Sequence, residues 1–223
     1  MKYILTTGWE DGVAALTERL VHELADGKHV LWLTSGGSNI VSTVQIMDNI
    51  STKLRQNLTV MPIDERYGEV GHADSNWGQL LQAGFKGDEA TLLPVLKEGL
   101  DFEQTIDQYN QMAIQAFKNN EVIIAQLGMG GDGHIAGILP GSPACAETEA
   151  LAVGYHNDRF DRLTLTFAAL RQISVAYTFA FGNTKQEALK KLQTQSVTLD
   201  RQPAQILKQL PEAYFYSDQI EGN

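Results

Sequence analysis

The feature that most constrains the fold is an alternation of short apolar runs with amphipathic segments. Seven runs rich in β-branched and aromatic residues are interpreted as strands, at 2–7, 29–34, 58–63, 121–127, 162–167, 175–181 and 213–217. Between them, apolar residues recur at spacings of three and four, for example over 13–24, 40–50 and 102–117, which is the period of an amphipathic helix. Strands that alternate with helices predict an α/β fold with a mostly parallel sheet flanked by helices.

Length and composition indicate an ordinary globular chain. The 223 residues contain no internal repeat, low-complexity tract or long linker, so we predict one domain over 1–223 with a sizeable core. No apolar run approaches the roughly 20 residues of a membrane-spanning helix, and the N-terminal residues lack a secretory apolar segment. We therefore expect a cytoplasmic protein without membrane contact. The single cysteine, Cys145, is interpreted as a semi-buried residue without a disulfide.

The charge of the chain limits its partners. A formal net charge of −10 argues against nucleic acid as a general partner, since phosphate backbones require a basic face. An acidic chain that binds an anionic metabolite must concentrate its few cations in one place. Ligands of open α/β sheets bind beyond the carboxyl ends of the strands, so the segments that follow predicted strands are the candidates for function.

The first candidate segment, SGGS, follows the predicted strand 29–34 and precedes a helix predicted to begin near Asn39. Its glycines allow a tight turn that exposes successive N–H groups, and the helix dipole and the serine hydroxyls complete a small anion site. The segment lacks the lysine and the spacing of a nucleoside-triphosphate loop, so a phosphate monoester is favoured. The alternative is a strand-to-helix turn with a serine N-cap. The residues concerned are Ser35, Gly36, Gly37 and Ser38.

The second candidate segment, DER, follows the predicted strand 58–63, and DSN at 74–76 opens the next helix. Three charges at one strand end are costly to bury unless they are paired or meet a ligand. Arg66 is suited to bind a phosphate or carboxylate through two parallel hydrogen bonds. The alternative is a solvated loop in which Asp74 caps the helix. His72, in the same loop, is interpreted as an exposed residue without a role.

The third candidate segment, GMGGDGH, follows the predicted strand 121–127 and holds Asp132 and His134 in a glycine-rich turn. Its glycines satisfy G-x-G-x-x-G, but a dinucleotide site also needs a helix at the last glycine and an acidic residue about 20 positions on. Pro140 and Gly141 interrupt any such helix, so the match is interpreted as a coincidence. Histidine is the side chain best suited to proton transfer near neutral pH. His134 is therefore either a catalytic residue or a structural one in a loop.

The fourth candidate segment, GNTK, follows the predicted strand 175–181 and leads into a helix. A lysine in the first turn of a helix opposes the preference of the helix dipole for anions at that end. This mismatch indicates that Lys185 binds an anion. The alternative is an ordinary surface lysine.

The order SGGS, DER…DSN, GMGGDGH, RLTLTF…FGNTKQEAL resembles the 6-phosphogluconolactonase family, within a wider group that includes glucosamine-6-phosphate isomerase/deaminase. The motifs extend from about residue 29 to 192. The resemblance implies a single-domain α/β/α sandwich with a Rossmann-like, mostly parallel sheet. It implies hydrolysis of 6-phosphoglucono-1,5-lactone in the oxidative pentose phosphate pathway, with no metal or nucleotide cofactor. We expect a sugar phosphate as the ligand and a monomer or homodimer.

The resemblance also implies roles for particular residues. His134 is the general base that activates water, Asp132 orients the site, and Arg66 binds or polarises the substrate. Lys185 and Arg162 reach the 6-phosphate. The predicted catalytic residues are His134, Asp132, Arg66 and Asp64. The predicted substrate-binding residues are Ser35, Gly36, Gly37, Ser38, Asn76, Arg162 and Lys185.

One loop departs from the lactonase pattern and leaves alternatives open. Lactonases have Thr-x-Ser after DGH, whereas this chain has DGHIAGILPGSP. The isomerase branch has Asn-Glu before the proline, where its Glu assists the catalytic His in opening the sugar ring; here Ile138 and Leu139 stand there. The lactonase is therefore favoured. The alternatives are an isomerase or deaminase with Asp64 as its base, a sugar-phosphate sensor without turnover, and a dinucleotide oxidoreductase.

Overall fold

The computed structural model describes residues 1–220 and contains a seven-stranded and a three-stranded sheet. The strands are β1 (Lys2–Leu5), β2 (Val30–Thr34), β3 (Leu58–Pro62), β4 (Asp64–Arg66), β5 (Thr91–Leu92), β6 (Val122–Gly128), β7 (Ala152–His156), β8 (Asp161–Leu165), β9 (Val175–Phe179) and β10 (Glu212–Ser217). The α-helices are α1 (Glu10–Ala25), α2 (Ile40–Asp48), α3 (Asn76–Gln82), α4 (Phe102–Asn119), α5 (Phe167–Leu170) and α6 (Gln186–Thr194). Short 3₁₀ helices span Gly37–Asn39, Leu54–Asn57, Pro143–Cys145, Asn183–Lys185 and Pro203–Gln209.

The larger sheet is parallel throughout, in the strand order β1-β10-β9-β6-β2-β3-β5. The carboxyl ends of its strands therefore lie along one edge. From β2 the chain moves to β3, whereas from β6 it moves in the opposite direction to β9, so the strand order reverses between β2 and β6. Such a reversal opens a crevice beyond the ends of the two strands, where open α/β sheets bind their ligands.

Both faces of the parallel sheet are buried under helices. In β2, Leu31 and Leu33 pack into the apolar layer that contains α4 and α6, and Trp32 packs into the layer formed with α1 and α2. All three side chains are fully buried, and each contributes about 1.5–3 kcal/mol of hydrophobic stabilisation. Burial on two faces explains why the strands read as apolar runs. The predicted α/β fold, with a mostly parallel sheet between helical layers, is confirmed.

The three-stranded sheet, β4-β8-β7, is antiparallel and was not anticipated. Its strand β8 overlaps the predicted strand 162–167, but β4 and β7 were missed, as was β5 of the larger sheet. β4 has three charged residues, β5 has two residues, and β7 contains a glycine, Gly154, so none shows the apolar alternation of a strand. The pairing places Arg66 opposite Arg162 and so joins two candidate segments that are distant in sequence.

Two local interpretations were wrong. The N-cap of α3 is Ser75 and not Asp74, because the Ser75 hydroxyl accepts a hydrogen bond from the Gly78 N–H at 2.9 Å. His72 is half-buried rather than exposed, and its Nε2 lies 2.9 Å from the Arg66 carbonyl oxygen.

Cys145 is half-buried and forms no disulfide. Among residues 1–220, no helix combines the length and apolarity needed to cross a bilayer.

Candidate active site

A cavity of about 470 Å³ lies at the carboxyl edge of the parallel sheet. All four candidate segments contribute to its wall, together with the hairpin between β7 and β8. Every residue predicted for the site lines the cavity except Asp132. The segments converge because they follow strands whose carboxyl ends share one edge, or, for Arg66 and Arg162, because β4 pairs with β8.

Asp132 lies behind His134 and binds it. The Asp132 Oδ1 is 2.7 Å from His134 Nδ1 and also accepts the His134 backbone N–H at 3.1 Å. The turn is closed by hydrogen bonds between Gly130 and His134 and between Gly133 and Gly130, both 3.0 Å. A side chain at Gly130 would collide with the His134 ring, so the glycine is required for this close approach. The segment thus holds one imidazole in one orientation.

The electrostatics of this pair define a proton acceptor. Burial alone would raise the pKa of the Asp132 carboxyl, but the hydrogen bonds and charge of His134 outweigh it and lower that pKa to about 2. Asp132 is therefore ionised at neutral pH and accepts the proton of Nδ1. Nε2 of the neutral imidazole is then the nitrogen with a free lone pair, as a general base requires.

The DER segment divides its charges between structure and cavity. The Glu65 carboxylate, 1% exposed, accepts hydrogen bonds from the N–H groups of Arg66, Asn76 and Trp77 and from the Ser75 hydroxyl, at 2.6–3.0 Å. Burial raises its pKa, and these donors oppose the rise. Because it satisfies the N-terminus of α3, Glu65 is a structural carboxylate that the sequence analysis did not separate from its neighbours.

Asp64 faces the cavity and is buried. Burial raises the pKa of its carboxyl, while the positive charges of Arg66, Arg162 and His134 oppose that rise. Asn76 donates from Nδ2 to the Asp64 carbonyl oxygen at 3.0 Å. A side chain at Gly36 would overlap the Asn76 amide, so this glycine of SGGS is needed for packing against α3.

Two other glycines shape the backbone around the cavity. Gly37 has a φ of 62°, a left-handed conformation that favours glycine, and it makes the turn into α2. A side chain at Gly131 would lie 2.6 Å from the Thr184 carbonyl oxygen. GMGGDGH therefore packs closely against the turn that carries Lys185, which lies half-buried at the N-terminus of α6.

Four cations line the cavity: Arg66, Arg159, Arg162 and Lys185. The guanidinium carbons of the three arginines lie 5.1, 5.0 and 5.8 Å from the centre of the Phe160 ring, within cation–π range. Phe160 is thus a shared contact of Arg66 and Arg162, which the strand register places opposite each other. Sequence analysis missed Arg159 and Phe160, although the stretch RFDR, with two arginines in four positions before a predicted strand, was a usable signal.

The cavity wall contains polar atoms without partners. Eight buried side-chain polar atoms have no hydrogen-bond partner within residues 1–220, and four of them belong to residues that line this cavity. The four are Arg66 Nε, Arg162 Nε, Asn39 Nδ2 and Asn76 Oδ1. An unsatisfied buried polar group costs about 1–3 kcal/mol. Three unpaired donors and one acceptor in one cavity fit an oxygen-rich, anionic ligand.

The loop after His134 has two apolar residues, Ile138 and Leu139, at the positions where the isomerase branch has Asn-Glu. Ile138 is fully buried, and Leu139 packs against the core, with its carbonyl oxygen 3.3 Å from Cys145 Sγ. No helix begins at Gly133, so the glycine pattern lacks the helix of a dinucleotide site. In the described part of the chain, no group of three or more His, Cys, Asp and Glu side chains is placed to hold a metal ion.

Comparisons with known proteins show the family and the fold of this chain. The model of a family described as glucosamine-6-phosphate isomerases/6-phosphogluconolactonase matches residues 9–215. A glucosamine-6-phosphate deaminase of Lactobacillus johnsonii is 26% identical over 99% of this chain and 95% of its own. A 6-phosphogluconolactonase of Synechocystis sp. is 28% identical over 71% of this chain and 70% of its own. The solved 6-phosphogluconolactonase of Thermotoga maritima shares the fold, with a TM-score of 0.79 at 19% identity over 97% of this chain and 98% of its own.

Proposed function

Because the chain belongs to the glucosamine-6-phosphate isomerase/6-phosphogluconolactonase family, we propose that it hydrolyses 6-phosphoglucono-1,5-lactone to 6-phosphogluconate. The observation that carries the proposal is the His134–Asp132 pair at the edge of a cavity with four cations. A proton acceptor beside an anion-binding wall is what the hydrolysis of a phosphorylated lactone requires. Relatives named 6-phosphogluconolactonase support this reaction.

The cations account for substrate binding. The chain has a formal net charge of −10, so an anionic metabolite binds only where positive charge is concentrated. We assign the 6-phosphate to Lys185 and Arg162, with the N–H groups of SGGS as further donors. Arg66, next to Arg162 across the strand pair, is then left to polarise the lactone carbonyl.

Catalysis follows from the His134 imidazole. Nε2 takes a proton from water as the water oxygen attacks the carbonyl carbon of the lactone. The carbonyl oxygen becomes an oxyanion, which the Arg66 guanidinium stabilises. The bond between this carbon and the ring oxygen then breaks, and the ring oxygen takes the proton from the imidazolium. The acid product releases its proton to solvent. General-base assistance of this kind supplies about 10²–10⁴-fold in rate.

Asp64 has a different task from Asp132 in this scheme. It has no hydrogen bond to the His134 ring among the described residues, and the charges that face it are those of Arg66, Arg162 and, once protonated, His134. We assign it as the counter-charge that holds the two arginines in the cavity wall and as an acceptor for a substrate hydroxyl.

A deaminase or isomerase is the second candidate, and two observations favour it. The Lactobacillus johnsonii relative named as a deaminase matches 99% of this chain, and Asp64 is a buried carboxyl whose raised pKa suits a base. Against it, the position of the acid that assists ring opening in that branch is Leu139, which packs against the core. The lactonase therefore remains the stronger proposal.

Two coarser expectations accompany the proposal. We expect the protein in the cytoplasm, where sugar phosphates are metabolised, and as a monomer or homodimer. A fractionation experiment and the mass in solution test these expectations independently of activity.

The function is tested by giving the protein both substrates. The lactone is generated in situ, and its decay is compared with and without protein, since lactones also hydrolyse spontaneously. In parallel, ammonia release from glucosamine 6-phosphate is measured. Accelerated lactone decay without ammonia release supports the proposal. Ammonia release without acceleration favours the deaminase, and binding of 6-phosphogluconate with neither activity favours a sensor.

A further inference from the structure

Asn39 has no role in the proposed mechanism, yet it lines the same cavity. The residue is 3% exposed, and its Nδ2 is one of the buried donors that lack a partner within residues 1–220. A buried, unpaired amide donor destabilises the free protein. A partner for this donor would have to come from outside the described part of the protein.

The backbone of Asn39 is firmly held. Its carbonyl oxygen accepts hydrogen bonds from Ser42 Oγ at 2.8 Å, Thr43 Oγ1 at 2.9 Å and Gln126 Nε2 at 3.4 Å. Gln126 lies in the middle of β6, is fully buried, and also binds Ser42 and Thr43. This network ties the start of α2 to β6. The Asn39 amide is therefore presented from a rigid base between the SGGS segment and the end of β6.

The absence of a side chain at Gly128 leaves space for the Asn39 side-chain amide. A Cβ at Gly128, the last residue of β6, would lie 3.1 Å from Asn39 Nδ2 and 3.8 Å from Ser35 Oγ. Gly128 also lines the cavity. A larger residue at 128 would press on the amide, so the bare backbone at this position keeps Asn39 in place.

A structural role for the side chain is not evident. Asparagine often caps a helix through its side chain, and Asn39 directly precedes α2. However, its backbone is helical, with φ −86° and ψ −9°, and its side chain makes no capping hydrogen bond. The Nδ2 donor therefore serves neither the helix nor another group among the described residues.

We propose that Asn39 is a substrate-binding residue whose Nδ2 donates a hydrogen bond to a hydroxyl oxygen of the bound sugar phosphate. Asn76, on the same cavity, offers an unpaired acceptor, Oδ1. A sugar hydroxyl accepts and donates, so it suits these two amides, whereas the oxygens of a phosphate anion are mainly acceptors and carry no carbon framework that places a hydroxyl at this point. Asn39 thus contributes to selecting a polyhydroxylated anion over other anions. This inference rests on the proposed sugar-phosphate site.

The test compares two probes on matched variants. Asn39→Leu removes the donor at nearly constant size, and Asn39→Asp also removes it while keeping a residue that is favourable at a helix N-terminus. Asn49→Leu is the control, because Asn49 is the exposed residue after the other end of α2. Binding of 6-phosphogluconate and of inorganic phosphate is measured by calorimetry, and the unfolding temperature is recorded without ligand.

We expect Asn39→Leu to weaken 6-phosphogluconate binding about 10-fold, the loss of one well-placed hydrogen bond, and to change phosphate binding less than about 2-fold. Its unfolding temperature should not fall, since an unpaired donor is removed. Asn49→Leu should bind both probes as the wild type does. Lactone hydrolysis by Asn39→Leu should lose the same factor in kcat/KM.

Each other outcome has a definite meaning. If the wild type binds 6-phosphogluconate and Asn39→Leu binds it equally well, the role of Asn39 is wrong while the proposed function stands. An equal loss for phosphate also overturns the inference, since the anion loop itself would be disturbed. If Asn39→Leu does not fold, Asn39→Asp decides, and wild-type affinity for 6-phosphogluconate in that variant overturns the inference. If the wild type binds 6-phosphogluconate no better than inorganic phosphate, the inference is overturned, while the proposed function is decided by lactone hydrolysis.

Discussion

Asp132 and Asp64 are two aspartates close to strand ends at one cavity, and their surroundings shift their pKa values in opposite directions. The pKa of Asp132 falls to about 2 because His134 binds the carboxylate strongly enough to outweigh burial. The pKa of Asp64 rises because burial outweighs the charges of Arg66, Arg162 and His134. Residue type and position relative to a strand thus do not determine the pKa, whereas the balance of burial, nearby charges and hydrogen-bond partners does. The comparison assigns Asp132 to orienting the base and Asp64 to balancing the arginines.

The largest effect is expected from Asp132→Asn. The amide keeps the size of the carboxylate but no longer requires the proton on His134 Nδ1, so the base loses its orientation and tautomer. We expect kcat for lactone hydrolysis to fall about 10²-fold, with little change in KM because Asp132 does not line the cavity. Steady-state kinetics, corrected for spontaneous hydrolysis, give both values. An unchanged kcat would contradict the assigned role.

Replacement of the two aspartates by asparagine should change the stability of the fold in opposite directions. Asp132→Asn should destabilise the fold at pH 7 by about 1 kcal/mol, a value reduced for the partial exposure of the pair. Asp64→Asn should instead raise the unfolding temperature at pH 7, because it removes a buried charge whose ionisation favours the unfolded chain. Thermal unfolding without ligand measures both. Unfolding temperatures that change in the same direction in both variants would contradict the contrast between Asp132 and Asp64.

The pH dependence of these two variants sharpens the same point. The folded-state pKa of Asp132 is depressed, so its stabilisation is present above the unfolded value of about 4 and is lost as the pH falls through about 2. The folded-state pKa of Asp64 is raised. The stability of the wild type therefore falls as the pH rises from the pKa of an unperturbed aspartate towards the raised pKa of Asp64 in the folded protein. Asp64→Asn should therefore gain stability over the wild type only above about pH 4. Unfolding temperatures from pH 3 to 8 test this expectation.

A smaller effect is expected from Phe160→Leu. The ring lies against three arginines, and each cation–π contact contributes about 0.5–1 kcal/mol at exposed sites. Without the ring, Arg66 and Arg162 should lose a shared contact and be held less firmly in the cavity wall. We expect KM for the lactone to rise about 3-fold while kcat changes little, since His134 and Asp132 are untouched. A fall in kcat with constant KM would contradict the assignment of Phe160 to the arginines.

Much of this arrangement follows from sequence alone. The parallel sheet was predictable because strands buried on both faces read as apolar runs, and the site followed because carboxyl ends of parallel strands share an edge. The resemblance to the lactonase family is confirmed by the family match over 9–215. The roles of the individual residues, and the extent of one domain over 1–223, stay predictions.

Other features depend on contacts between distant segments. The pairing of Arg66 with Arg162 joins strands that the sequence does not show to be neighbours, since β4 has only three residues, all charged. The structural role of Glu65 could not be separated from the roles of its neighbours in DER, because it depends on hydrogen bonds from the backbone of α3. His72 was misread because its partner is a backbone carbonyl, and Asn39 was passed over because its unpaired amide is a property of the packed structure.

The central claim, that His134 is the general base of a lactonase, is tested most directly by His134→Ala. Lactone decay is followed with the wild type, with His134→Ala, with His22→Ala as a control at an exposed histidine of α1, and without protein. The account predicts acceleration by the wild type and by His22→Ala, and a rate with His134→Ala that falls at least about 10²-fold towards the blank. Wild-type activity in His134→Ala, or no acceleration by the wild type, would contradict it.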